Sequence, residues 1–204
     1  MSYINQSNLE NFLLIEIDDD FYSAQVVHWV TAIENYINLY CGREFEEESG
    51  VSSKLYDGDG SNELLMGDVY DFTKIEILDE NGDVSYTIDD SDEYYIYPVN
   101  KKSDEPYTRV VLNRYNAPIS YFPRSYQNVK VYGSFGYAKD VPKDIRLVAT
   151  KLVAGIIQER NLDTSGEIKK EKLGEYDVTF QNITDMANHL GINAILDKYR
   201  IIKV

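Results

Sequence analysis

The stretch VKVYGSFGYAKDVPKDIRLVATKLVAGIIQER, Val129 to Arg160, decides the fold, because it changes period in the middle. Val129–Ser134 alternates like a strand. From Ile145 the apolar residues recur at three- and four-residue steps, which is a helix. Pro142 marks the change: its fixed φ and missing N–H suit the first position of a helix and nothing further inside. A second junction, AIENYINLYCGREFEEESGVSSKLYDGDGSNEL from Ala32 to Leu64, makes the reverse change from helix to strand. Two opposite junctions predict a helical unit interrupted by a β-rich insert.

Outward from these junctions, the N-terminal part reads as two helices. The first is placed at Asn5–Ile15, with Ser7 as its cap and Glu10 as the capping-box partner. Asp18-Asp19-Asp20 breaks it and caps the next, about Phe21–Tyr40. There Val26, Val30, Ile33, Ile37 and Tyr40 share one face, and Gly42 suits the left-handed position after the helix. In the insert, strands are expected at Ser53–Tyr56, Glu63–Met66, Phe72–Leu78, Val84–Ile88, Tyr94–Pro98, Arg109–Asn113 and Asn128–Ser134. Asp79-Glu80-Asn81-Gly82-Asp83 is the turn of a hairpin. After Pro142 a wide apolar stripe (Ile145, Val148, Ala149, Leu152, Val153, Ile156, Ile157) predicts packing on two sides, either inside the subunit or across a subunit contact. Ile168–Phe180 is mixed, Tyr176–Phe180 being strand-like. Thr184 is the expected cap of a short helix to Leu190, and Ile192–Tyr199 forms a last turn or two. The class is therefore α+β. A small helical bundle, residues 1–50 and 139–204, carries an inserted antiparallel β-rich domain, residues 51–138.

The net charge is −15 and unevenly spread. Residues 1–100 hold 3 Lys and Arg against 23 Asp and Glu; residues 101–138 hold 6 against 2. So acidic a front half argues against a phosphate-backbone binder, which needs clustered cations. No apolar run reaches the roughly 20 residues of a membrane span, and the N-terminus lacks the pattern of a secretory signal. The single cysteine, Cys41, excludes an intrachain disulfide.

Nothing in the sequence assembles a catalytic set. His28 and His189 are the only histidines, and neither lies in HExxH. No GxxxxGK[ST] or GxGxxG follows a strand. The sharpest motif is Asp57-Gly58-Asp59-Gly60-Ser61-Asn62-Glu63, which is similar to the front of an EF-hand loop. Its sixth position is Asn62 where that loop needs glycine, and its twelfth is Asp68 where a bidentate Glu is usual. A carboxylate-rich β-turn is the preferred reading. Asp57, Asp59 and Ser61 are the ligands a cation would use, and a calcium-dependent binding module is an alternative on that basis. The expectation is no enzyme, no cofactor and no metal.

Four places resemble the head–tail connector (adaptor, neck) proteins of tailed bacteriophages. They are the helix ending Tyr40-Cys41-Gly42-Arg43-Glu44-Phe45; the strand–turn–strand Leu55–Ser61 followed by Leu64; the run Val129–Val131 through Gly136-Tyr137-Ala138 to Pro142, Ile145 and Ala149; and Ile168–Val178 followed by Ile195-Leu196-Asp197-Lys198-Tyr199-Arg200. The resemblance implies a structural virion protein, assembled in the host cytoplasm and resident in the neck. It implies a ring, commonly of twelve subunits, under the portal, which extends the DNA channel and meets a downstream tail protein while DNA passes unread. It also implies a portal-docking C-terminal tail, here Ile192, Ile195, Leu196, Tyr199, Arg200, Ile201 and Ile202. The alternative virion role is another β-rich or tail-completion module.

Overall fold

A computed structural model describes residues 2–46, 50–103, 105–159 and 180–201. The chain divides into two compact units, Met1–Arg43 with Val141–Val204, and Glu44–Asp140. The architecture is α+β.

In the helical unit, α1 spans Gln6–Leu13. Its cap is Asn5 rather than the expected Ser7. The Asn5 side chain accepts from the Asn8 N–H at 2.9 Å, and the Asn8 side chain accepts from the Asn5 N–H at 2.9 Å. Two asparagines thus perform the reciprocal capping that Ser and Glu usually share. Glu10 is engaged elsewhere, accepting from the Ile17 N–H at 3.0 Å. Asp18 caps the next helix as its sequence predicts, accepting from the Phe21 N–H at 3.0 Å. That helix is not uniform. A short α2 (Asp19–Phe21) passes through a π-helical turn, Tyr22–Val26, into α3 (Val27–Cys41). Gly42 ends α3 at φ +67°, its N–H returning to the Asn38 carbonyl at 2.8 Å.

Helix α4 (Lys143–Glu159) starts after Pro142, whose carbonyl accepts the Arg146 N–H at 2.9 Å. Its stripe from Ile145 to Ile157 is buried throughout. The stripe is wide because α4 meets α1, α3, α5 (Phe180–His189) and α6 (Asn193–Leu196) within the same unit. Its width is thus used inside the subunit. Thr184 lies within α5, so it is not the cap that its sequence context suggests. The strand-like reading of Tyr176–Phe180 falls almost wholly outside the described residues; Phe180 itself begins α5.

The other unit is a six-stranded antiparallel sheet. Its strands are β1 (Ser52–Gly58), β2 (Glu63–Leu78), β3 (Val84–Ile88), β4 (Tyr94–Tyr97), β5 (Tyr107–Leu112) and β6 (Ser125–Phe135). The spatial order is β1-β6-β2-β5-β4, with β3 also on β2. Sequence predicts two strands where β2 is one continuous strand of 16 residues. Gly67, at φ +75°, sits in the irregular stretch between Leu65 and Val69. There β2 changes partners: its first half pairs with β5, its second with β6 and β3. The glycine thus marks a bulge that re-aims the strand, not a turn that ends it.

Alternate residues face one core, including Met66, Ile75, Ile88, Val110, Val131 and Phe135, with Phe122 inserted from the β5–β6 loop. The turn between β2 and β3 is held by Asp79, whose carboxylate accepts the N–H groups of Asn81 and Asp83 at 2.8 and 2.9 Å. The two ends of this unit are paired. The Tyr137 N–H donates to the Glu44 carbonyl at 3.0 Å, Glu46 bridges Ala138, and the Phe45 and Tyr137 rings lie 5.5 Å apart.

Candidate functional site

The residues that sequence singles out fall in two places. Asp57, Asp59 and Ser61 line an open depression of about 550 Å³ together with Tyr56, Glu63 and Leu65. Their polar atoms are committed to the backbone. Asp57 accepts from the Gln127 N–H at 2.7 Å and Asp59 from the Ser61 N–H at 2.8 Å. Ser61, through its side chain and then its amide, holds the Asp59 carboxyl below the usual carboxylate range. The Ser61 hydroxyl donates to the Glu63 carbonyl at 2.6 Å. This is the chemistry of a stiff turn. Among the described residues no group of three His, Cys, Asp or Glu is placed to hold a metal. His28 and His189 are both exposed and lie on different helices.

The C-terminal set lies in the helical unit and splits by burial. Ile192 and Leu196 are 0 % exposed. Ile195 and Tyr199 are half-buried, Arg200 and Ile201 exposed, and Ile202 lies outside the described residues. The segment is stitched to the end of α3 by several bonds. Tyr40 donates to the Asp197 carboxylate at 2.7 Å, the Ile201 N–H donates to the Cys41 carbonyl at 2.8 Å, and Arg43 donates to the Tyr199 carbonyl. The Cys41 thiol faces the Leu196 carbonyl at 3.6 Å, and burial pushes its pKa up to about 11. The segment that the resemblance implies as a docking tail is therefore partly core packing: Ile192 and Leu196 are spent inside the unit.

The sheet also carries polar and aromatic clusters. On the outer face Glu76 accepts from Lys74 at 2.6 Å and from the Tyr132 hydroxyl at 2.7 Å. Lys74 first, then Tyr132, holds the Glu76 carboxyl below its ordinary range. A second cluster joins Arg109 to Glu63 at 3.2 Å, with the guanidinium 4.4 Å from the Tyr97 ring centre. Tyr115 and Tyr126 project 97 % and 89 % exposed. Tyrosine and arginine of this kind are enriched at protein interfaces. A run of tyrosines cannot tell from sequence which rings are buried by the pleat and which are presented.

This fold has a counterpart among solved structures. A chain in the neck of an empty GTA particle, computed with C6 symmetry, matches 99 % of this chain and 91 % of its own, at a TM-score of 0.52 and 11 % identity. A chain in the virion of a native gene transfer agent (GTA) particle matches with the same coverage at a TM-score of 0.49 and 9 % identity. At such identity the likeness is one of fold. No protein-family model matches the sequence, and no curated protein does.

Proposed function

We propose that this chain is a structural, non-enzymatic subunit of a virion neck. It acts as a head–tail connector that joins others of its kind in a ring beneath the portal and extends the DNA channel. The observation that carries this reading is the likeness, over nearly the whole of both chains, to a protein in the neck of a GTA particle. The C6 treatment of that neck supports a ring whose subunit number is six or a multiple of six, and a ring of twelve is compatible with it. The sequence resemblance to phage connectors points the same way from different features.

Closing a ring requires two unlike patches on each subunit, one meeting the other around the circle. The presented tyrosines and the Arg109 cluster of the sheet unit are suited to such contacts. Portal docking, in this proposal, uses the outer side of the C-terminal segment, Tyr199, Arg200 and Ile201, since Ile192 and Leu196 are buried. The acidic excess of residues 1–100 suits a channel through which DNA slides without being held. Cryo-electron microscopy of the protein mixed with its portal tests this. A ring seated on the portal is expected; a portal that stays bare at saturating protein would sink the connector role.

A further inference from the structure

Strand β3 has an open side. Among the described residues it pairs with β2 alone, through Ile75↔Ile88, Glu76↔Thr87, Ile77↔Tyr86 and Leu78↔Val84. Its sequence, Val-Ser-Tyr-Thr-Ile, contains no charge, no proline and no glycine, and Val84 to Thr87 are exposed. Tyr86 is 44 % exposed and lies on the same side of the strand as the buried Ile88, while Val84, 52 % exposed, lies past the register shift opposite Leu78. Natural sheets usually blunt such an edge with lysine, proline or a bulge, because unpaired N–H and C=O groups recruit another strand. The register shift between Ile77 and Leu78 falls on Val84–Ser85 of β3, at the hairpin end, and leaves Tyr86–Ile88 regular.

The two ends of the strand carry the charge instead. Asp79, Glu80 and Asp83 precede it, and Asp89, Asp90, Asp92 and Glu93 follow it. No lysine or arginine occurs from residue 75 to residue 100. Antiparallel pairing of β3 with β3 of a second copy would set one acidic end against the other, so like charge opposes self-pairing. The same charges favour a strand that brings cations to both ends.

We infer that the open edge of β3 takes up an extended segment of a partner protein, with apolar side chains at alternate positions and lysine or arginine flanking them. Main-chain bonds along Ser85–Ile88 would hold the segment, Tyr86 would receive an apolar side chain from it, Val84 would pack beside its end, and the acidic turns would fix its ends. This does not depend on the neck reading; the partner is defined by its chemistry.

The test uses the full chain and a synthetic peptide of alternating lysine and valine. Binding is followed by calorimetry and located by hydrogen–deuterium exchange. The expected result is saturable binding with new amide protection at residues 85–88. Replacing the central valine of the peptide by proline should abolish binding, and a glutamate–valine peptide should not bind. Val84→Lys with Tyr86→Lys should weaken binding at least tenfold; Glu80→Gln with Asp83→Asn and Asp89→Asn should weaken it severalfold, without changing thermal unfolding. Equal binding of the proline peptide would reduce the effect to general attraction by an acidic protein and overturn the inference. Protection at Tyr94–Tyr97 instead, or no binding at all, would also overturn it.

Discussion

Leu196→Ala separates the two roles open to the C-terminal segment. Leu196 is fully buried, and the turn it occupies is bonded to the end of α3 through Tyr40, Cys41 and Arg43. Removing its outer carbons forfeits about 2 kcal/mol of transfer free energy at roughly 0.8 kcal/mol per carbon. The pinned segment cannot collapse freely into the space, so the cavity raises the cost to about 3–5 kcal/mol. At a urea dependence of about 2 kcal/mol per molar, the midpoint falls by about 1.5–2.5 M. The sole tryptophan, Trp29, is buried in α3 and packs edge-on to Phe21 at 5.9 Å, so its fluorescence reports this unit. Arg200→Ala is the control. It loses only a guanidinium stacked 5.4 Å from the Tyr40 ring, worth about 0.5–1 kcal/mol, yet it should impair portal docking. A Leu196→Ala protein with unchanged unfolding and lost docking would refute the core assignment.

Two further outcomes follow from close packing and burial. A Cβ on Gly133 would stand 2.3 Å from the Asp71 carbonyl oxygen, which is main chain and cannot swing aside. Gly133→Ala should therefore part β6 from β2 and cost about 1–3 kcal/mol or more, read as lost amide protection over residues 129–135; unchanged protection would contradict the register. Cys41 is buried with its thiol pushed up to about 11, so Ellman's reagent at pH 8 should label the native protein at least a hundredfold more slowly than the urea-unfolded chain. Its unfolded thiol loses its proton first, so stability should fall as pH rises from about 9 towards 11; Cys41→Ala should remove that portion of the fall.

The helical residues were the most legible in sequence. Val26, Val30, Ile33 and Ile37 lie buried on one face of the second helix, and the α4 stripe is buried from Ile145 to Ile157. Period alone placed them because a helix buries one face whatever covers it. Strand positions were legible too, since Val84–Ile88 alternates between turn signals. Pairing was not. Gly67-Asp68 looks like a turn, and only the distant β5 and β6 make it a bulge in one strand. The π-helical turn at Tyr22–Val26 has no signature in residue type. For the candidate site, the resemblance to phage connectors pointed to Ile192, Ile195, Leu196 and Tyr199, but an apolar segment of this kind serves a core as well as a docking tail. Burial by α3 and α4, from chain more than a hundred and about forty residues earlier, divided them. The Asp57–Ser61 motif was legible as a turn because its departures from the calcium loop were visible.

The bonded ends of the sheet unit bear on how the chain assembles in time. Synthesis releases α1 to α3 long before α4 exists to cover them, so the first helices wait with their apolar face bare. Closing a flexible loop of about 100 residues would cost about 4 kcal/mol. In the folded sheet unit Glu44 and Tyr137 are held together, so a sheet unit that folds first would complete most of that closure before the last helices emerge. An insert that folds during synthesis would thus work as a clasp, converting two remote halves of a helical bundle into near neighbours.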